Sequence, residues 1–272
     1  MIIDGHAHLG GDYRDVKSIV SVLDRLGVDK VVLCPADSIR RQSMSLPDMG
    51  TRVSGMKLNF VVNRFIRSVS ATRSKWAAIE MANKKIFDTA ALSGGRVLQF
   101  YWVNPLETTA DKLEEKLELW KFAGIKLHQG CHPFRIKSGI FRDIAGFAAL
   151  KSLPLFIHLY SRKEVMDFIS VSGNFSTNFI VGHLIGLEIF IKQRKMLGDN
   201  VFFDISCPPL VSSERIRLAI NEFGVRKIIM GSDTPYGRDN LERVLSRIRS
   251  LELKTEEIDM ILGNNLEKIL LI

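Results

Sequence analysis

Met1-Ile2-Ile3-Asp4-Gly5-His6-Ala7-His8 opens the chain and reads as a β-strand running into two histidines. Side chains two residues apart on a strand leave the same face. Both imidazoles therefore point to one side, close enough to hold one cation, and neutral imidazole is a common ligand for zinc and its neighbours. Two ordinary histidines beside a turn give the same short pattern. The weight of the reading falls on what the rest of the chain sets beside this strand.

Working outward, short β-branched or apolar runs alternate with longer amphipathic ones. Strands are predicted over Met1–His6, Lys30–Cys34, Arg96–Val103, Ile125–His128, Leu155–Leu159, Phe179–His183, Val201–Ile205 and Lys227–Ser232. Helices are predicted over Val16–Leu26, Trp76–Leu92, Thr109–Phe122, Gly139–Leu150, Lys163–Val171, Leu187–Leu197, Ser212–Phe223 and Leu241–Leu251. Helical spacing is plain in Leu113, Leu117 and Trp120, and again in Leu241, Val244, Leu245 and Ile248. Gly27, Gly124 and Gly224 stand where helices stop before the next strand. Strand–helix alternation argues for a parallel sheet. Eight such units in a chain of 272 residues predict one α/β domain spanning 1–272, a (β/α)8 TIM barrel. An open doubly wound sheet is the competing arrangement; no Gly-x-Gly-x-x-Gly follows the first strand to support its dinucleotide-binding form. Residues 38–75 are too long for a simple connection and form an insertion, with room for a short helix over Met56–Ser70. Following the second strand, it should emerge at the C-terminal face as a lid. Thr255–Ile272 reads as one or two extra helices on the barrel's outside.

Apolar content of 46% and charged content of 25% are ordinary for a globular domain. No apolar run reaches the roughly 18 residues needed to cross a bilayer, and no basic segment with an apolar core begins the chain, so the cytoplasm is expected and no membrane partner. Cys34, Cys131 and Cys207 are odd in number and far apart, against a disulfide framework or a cysteine zinc knuckle. The net charge of +8 is concentrated between Ser38 and Lys75, where Arg40, Arg41, Arg52, Lys57, Arg64, Arg67, Arg73 and Lys75 face one acid, Asp48. A solvated basic loop is the plain reading. Held over a barrel mouth, the same segment would concentrate anions. Binding of nucleic acid would need phosphate contacts and steep salt dependence, and Phe60, Phe65 and Trp76 sit in no recognised motif for it; no nucleic-acid partner is expected.

Ligand-type residues recur at the C-terminal ends of the predicted strands: His6 and His8, Lys126 and His128, His158, His183 and Asp233. Barrel enzymes build their sites on that rim. One buried histidine alone is more often a satisfied core group; several strands delivering such residues at one height are not explained by packing.

With these segments in view, the chain resembles the amidohydrolase superfamily, in the branch of TIM-barrel metal-dependent hydrolases that includes aminocarboxymuconate-semialdehyde decarboxylase. The resemblance spans nearly the whole chain. It rests on Asp4-Gly5-His6-Ala7-His8, Gly124-Ile125-Lys126-Leu127-His128, His158, Gly182-His183, Gly231-Ser232-Asp233-Thr234-Pro235 and Ile261-Leu262-Gly263-Asn264-Asn265. It implies that His6, His8, His158 and Asp233 bind a divalent metal, with Zn²⁺ the expected ion and another divalent metal the alternative. It implies a catalytic His183 that polarises substrate or relays a proton, and an Asp233 that also takes the proton of a metal-activated water. Lys126 is ambiguous. Binuclear relatives carboxylate such a lysine to bridge two metals, while the mononuclear branch leaves it unmodified, and one metal is favoured here. Lys126 and His128 share parity, so if one faces the barrel both do, and His128 would then sit higher, near substrate. Asp4 shares parity with His6 and His8 and is expected one layer below them, orienting a ligand, filling the barrel or pairing with Lys126. His132 is expected at the surface.

For substrate, strand ends and loops offer Trp102, Asn104, Tyr160, Arg162, Ser206 and Tyr236, of which Tyr160 joins His128 as a candidate contact. Arg40 or Arg41 could clamp a carboxylate or phosphate. The resulting expectation is a metal-dependent hydrolase acting on a small anionic amide, ester or lactone. Non-oxidative decarboxylation of a carboxylated substrate is the alternative the same motifs allow. A metal-holding scaffold without activity is opposed by the presence of both Asp233 and His183, and a homo-oligomer is left open.

Overall fold

The computed structural model describes residues 1–36, 42–50, 56–71 and 79–272. Eight parallel strands follow one another around a ring: β1 Ile3–His8, β2 Lys30–Cys34, β3 Val97–Trp102, β4 Gly124–His128, β5 Leu155–His158, β6 Phe179–Val181, β7 Val201–Asp204 and β8 Ile228–Ile229. Backbone bonds from Gly5 N to the Met230 oxygen (2.9 Å), Asp233 N to the His6 oxygen (2.8 Å) and His8 N to the Thr234 oxygen (2.7 Å) join the last segment to the first. The arrangement is the expected (β/α)8 barrel.

The helices of the wall are α1 Val16–Leu26, α3 Ile79–Ala91, α4 Ala110–Trp120, α5 Gly139–Leu150, α6 Arg162–Ser172, α7 Leu187–Lys192, α8 Ser213–Phe223 and α9 Asn240–Arg249, with α2 Met56–Ala71 set apart in the insertion. Local chemistry starts them. Asp15, Thr109, Ser138, Ser161 and Ser212 each accept a backbone N–H from the first turn of the helix that follows, a cap worth about 1 kcal/mol apiece. Strand residues alternate between two apolar layers. Val31, Leu33, Ile125, Leu127, Leu155, Ile157 and Val181 pack outward on the helices, while Ile3, Val32, Phe100, Phe156, Ile180 and Ile229 fill the interior.

Three features differ from expectation. The register of β1 against β2 slips between Asp4 and Ala7, a β-bulge that breaks the period of two. Asp4 therefore pairs in register with outward-packing Val31, and its carboxylate meets the Tyr13 hydroxyl and Ser232 N rather than the interior. Second, β6 and β8 are shorter than predicted, and His183 and Asp233 lie beyond them on turns. Third, α10 Thr255–Asp259, a π turn over Met260–Asn264 and α11 Asn265–Leu270 cover the barrel's floor instead of its outer wall. Leu266 and Ile269 join the interior cluster, and Asn265 Nδ2 donates to the Val225 and Ile228 oxygens. Gly263 is required there because a Cβ would collide with the Met1 carbonyl.

The described parts of the insertion lie across the C-terminal face, as their position after β2 requires. Met44 N bonds the Pro235 oxygen, Gly50 N the Pro209 oxygen, and α2 rests on the ends of β4 to β6. Among the described residues no helix is long and apolar enough to cross a membrane.

Candidate active site

All six histidines of the chain are buried. His132 is among them: Trp102 Nε1 donates to its Nδ1 at 3.1 Å, so the surface assignment is corrected. The loop after β4 turns back on the strand end, where Cys131 N and His132 N bond the His128 oxygen.

The bulge in β1 leaves His6 and His8 inside. Their Nε2 atoms each approach Asp233 Oδ1 at 3.4 Å, and the three ligand atoms lie within 4.8 Å of one another. His8 Nδ1 donates to the Pro35 oxygen at 2.6 Å, which leaves the Nε2 lone pair facing Asp233. Beneath them, Lys126 Nζ sits 3.1 Å from His6 Nε2 and 3.7 Å from the centre of the Phe156 ring. Its partner is thus His6 and the aromatic floor, not Asp4. Burial pulls Lys126 below the usual lysine range and holds His6 well below the usual imidazole value. Burial alone would raise Asp233, yet the surrounding imidazoles, His183 foremost, hold it well below the carboxylate range. A His6 imidazole kept neutral beside an ionised carboxylate is the pattern a divalent cation requires.

His183 follows β6 with φ 55° and ψ 29°, a left-handed conformation that costs of order 1 kcal/mol outside glycine. Asp233 is likewise left-handed, φ 59°. The turn sets His183 Nε2 4.0 Å from Asp233 Oδ2. On its other side, Ser206 Oγ meets Nδ1 at 2.9 Å and donates to Asp204 Oδ2 at 2.5 Å when Nδ1 carries the proton toward Ser206. Asp204 Oδ2 also accepts His183 N at 3.0 Å and lies 3.6 Å from Nδ1. Burial raises Asp204 above the usual carboxylate range. A line of polar groups, Asp204, Ser206, His183 and Asp233, thus crosses the mouth.

His158 stands apart from the His6, His8 and Asp233 donor set. Its Nε2 bonds Asn63 Oδ1 of the insertion helix at 2.6 Å. Its ring stacks on His128 with centroids 3.9 Å apart, and His128 lies parallel to Trp102 at 5.5 Å. Gly130 N and Cys131 N donate to His128 Nδ1, so His128 carries its proton on Nε2. Arg40 and Arg41, the proposed anion clamps, lie outside the described residues. Of the basic insertion, Lys57 and Arg64 are exposed, while half-buried Arg67 turns to the mouth. Its Nη2 donates to the Gln129 oxygen at 2.7 Å and its guanidinium lies 3.6 Å over the Tyr160 ring.

Asp204, Asn63 and Arg67 were not singled out by motif. Asp204 had a signal, as the one acid closing the apolar run Val201–Asp204 and two residues before Ser206. Asn63 and Arg67 had a fainter one, the four-residue spacing with Asn59 along one helical face.

The amidohydrolase family model matches residues 52–272. No curated protein matches the chain. Among solved structures, a probable 2-pyrone-4,6-dicarboxylic acid hydrolase from Acinetobacter baumannii, holding citric acid, shares 14% identity over 100% of this chain and 99% of its own, with a TM-score of 0.70. A 5-carboxyvanillate decarboxylase from Sphingomonas paucimobilis shares 12% over 100% and 99%, also at 0.70. A 5-carboxyvanillate decarboxylase from Novosphingobium aromaticivorans, complexed with manganese and 4-hydroxy-3-methoxy-5-nitrobenzoic acid, shares 13% over 93% and 79%, at 0.64. At these identities the likeness is one of fold.

Proposed function

This chain belongs to the amidohydrolase family, and we propose that it is a hydrolase of small anionic lactones, esters or amides working with one divalent cation held by His6, His8, Asp233 and His158. The convergence of two imidazole Nε2 atoms on one carboxylate oxygen, opposite His183, carries this reading. Three imidazoles and a carboxylate suit zinc, with manganese, present in one structural neighbour, as the alternative. When bound, such a cation supplies Lewis acidity and makes water a nucleophile near neutral pH. The chain supplies the rest. Asp233 Oδ2 takes the proton of the attacking water and returns it to the leaving group. His183 Nε2 faces the oxygen on which charge develops, with its ring fixed by Ser206 and Asp204. Lys126, seated on Phe156 against His6, is read as an unmodified amine beside a single cation. Arg67 supports an anionic substrate, and the citrate and nitrobenzoate in the neighbours accord with that. Free cysteines Cys34, Cys131 and Cys207 suit the reducing cytoplasm.

A second reading draws on the parallel rings of Trp102, His128 and His158. They form a flat wall suited to a planar carboxylated substrate, from which CO₂ would leave with His183 protonating the product. One experiment tests both. Protein purified without chelators is assayed for metal content, then offered pyrone dicarboxylates, cyclic amides and hydroxylated aromatic carboxylates. One metal per chain with ring opening supports hydrolysis, and CO₂ release supports the second reading. Turnover that survives in Asp233→Asn would refute both.

A further inference from the structure

His128 closes β4 and is 7% exposed. Its ring is held from three sides. Trp102 and His158, carried by the strands on either side, lie within 6° and 15° of parallel to it. The loop that follows closes the third side, where Gly130 N and Cys131 N donate to Nδ1 at 3.1 and 3.2 Å. Only glycine permits that approach, because a Cβ on Gly130 would stand 2.8 Å from His128 Cε1 and 3.2 Å from Nδ1.

Two amide protons aimed at Nδ1 leave no room for a third, so the ring's own proton sits on Nε2. That Nε2–H meets no acceptor among the described residues. Buried residues seldom leave a donor so. A glycine, two amides and two flanking rings thus fix the direction of one N–H that the protein itself does not use. The ionisable groups that act on His128 most strongly are Lys126, His183, His8 and His132, all of them bases. A charged acceptor is therefore favoured beside it over a neutral one. We propose that His128 reads the anionic group of the substrate, its Nε2–H donating to a carboxylate oxygen in the plane of the ring. An ammonium in the same place would set donor against donor. His128 is thereby a specificity-determining residue, distinct from the cation's donors and from His183. This inference rests on the reading of the substrate as a small anion.

The test is calorimetric titration of isophthalate, a planar dicarboxylate, into zinc-loaded full-length protein, in wild type, His128→Asn and His128→Gln. Asparagine sets an amide oxygen near the Nδ1 position, so it keeps an acceptor for the loop and offers nothing at Nε2. Glutamine sets an amide N–H near Nε2. His128→Asn should weaken isophthalate about 10–100-fold, the loss expected for a hydrogen bond to a charged group. His128→Gln should recover most of that affinity. Wild-type affinity in His128→Asn overturns the inference and leaves the anionic-substrate reading standing. Glutamine as weak as asparagine assigns the loss to the missing ring and overturns it too. A wild type that binds no isophthalate removes the anionic-substrate reading, and the inference with it. A measurement on wild type decides the matter even if both variants fail to fold. In ¹⁵N spectra of the imidazoles, the Nε2–H of His128 should be present in the free protein and move downfield as isophthalate saturates it. A resonance that keeps its position while calorimetry shows binding overturns the proposal.

Discussion

Replacing His132 with glutamine should flatten the acid limb of the protein's stability. His132 is 4% exposed, and burial lowers its pKa from 6.5 to about 4. Its Nδ1 accepts the indole proton of Trp102, so a proton arriving there would also remove that acceptor. The unfolded chain takes up the proton near pH 6.5, the folded one only near 4. Stability is therefore complete above 6.5 and lost as the pH falls towards 4. The two values lie about 2.5 pH units apart, and at about 1.4 kcal/mol per unit the loss is about 3 kcal/mol. Glutamine can still accept from Trp102 but does not titrate. Urea midpoints followed by tryptophan fluorescence between pH 7 and pH 4 should converge: the variant starts less stable and loses less. Other buried histidines contribute equally to both proteins and cancel in the difference. Two curves separated by a constant offset across that range would refute the reasoning.

Asp204→Asn should lower turnover about 10–100-fold while leaving metal content unchanged, because Asp204 fixes His183 through backbone and Ser206 bonds without facing the donor set; steady-state kinetics with the substrate found in the panel, beside metal analysis, checks this, and unchanged kcat would remove Asp204 from the relay. Gly5→Ala should destabilise the barrel by about 2–3 kcal/mol, since the new Cβ would stand 2.6 Å from the Met230 oxygen and 2.8 Å from Leu266 Cδ2; a thermal melt reads the loss, and an unshifted midpoint would show that the seam yields there.

The barrel was legible because alternation of strand and helix repeats eight times, and each repeat is a local signal. The strand-end residues were legible for the same reason: once β4 and β5 are placed, His128 and His158 must lie side by side, as their register confirms. Asp4 was misplaced because a bulge has no signature at this resolution of reading; Gly5 marks it only after the close approach to Met230 is seen. His132 was misplaced because its burial depends on Trp102, 30 residues away in the chain. The grip of α2 on His158 was hidden for a related reason. A basic, loop-length insertion shows its charge in composition, whereas Asn63 acts through hydrogen bonds whose partners lie 95 to 97 residues further on.

The donor set and the closure of the barrel are one structure. Ser232 N and Asp233 N both bond the His6 oxygen, His8 N bonds the Thr234 oxygen, and Ser232 N also bonds Asp4. The bonds that close the ring are thus made by the ligand residues' own backbones. His6 and Asp233 stand 227 positions apart in sequence, yet neither can move without opening the seam. Immediately after these two amides, Asp233 adopts a left-handed backbone, which turns the chain away from β8. The strain, of order 1 kcal/mol, is offset by two buried backbone bonds at about 1 kcal/mol each. It follows that His6, His8 and Asp233 are as rigid as the fold, whereas His158 is held from the insertion helix through Asn63.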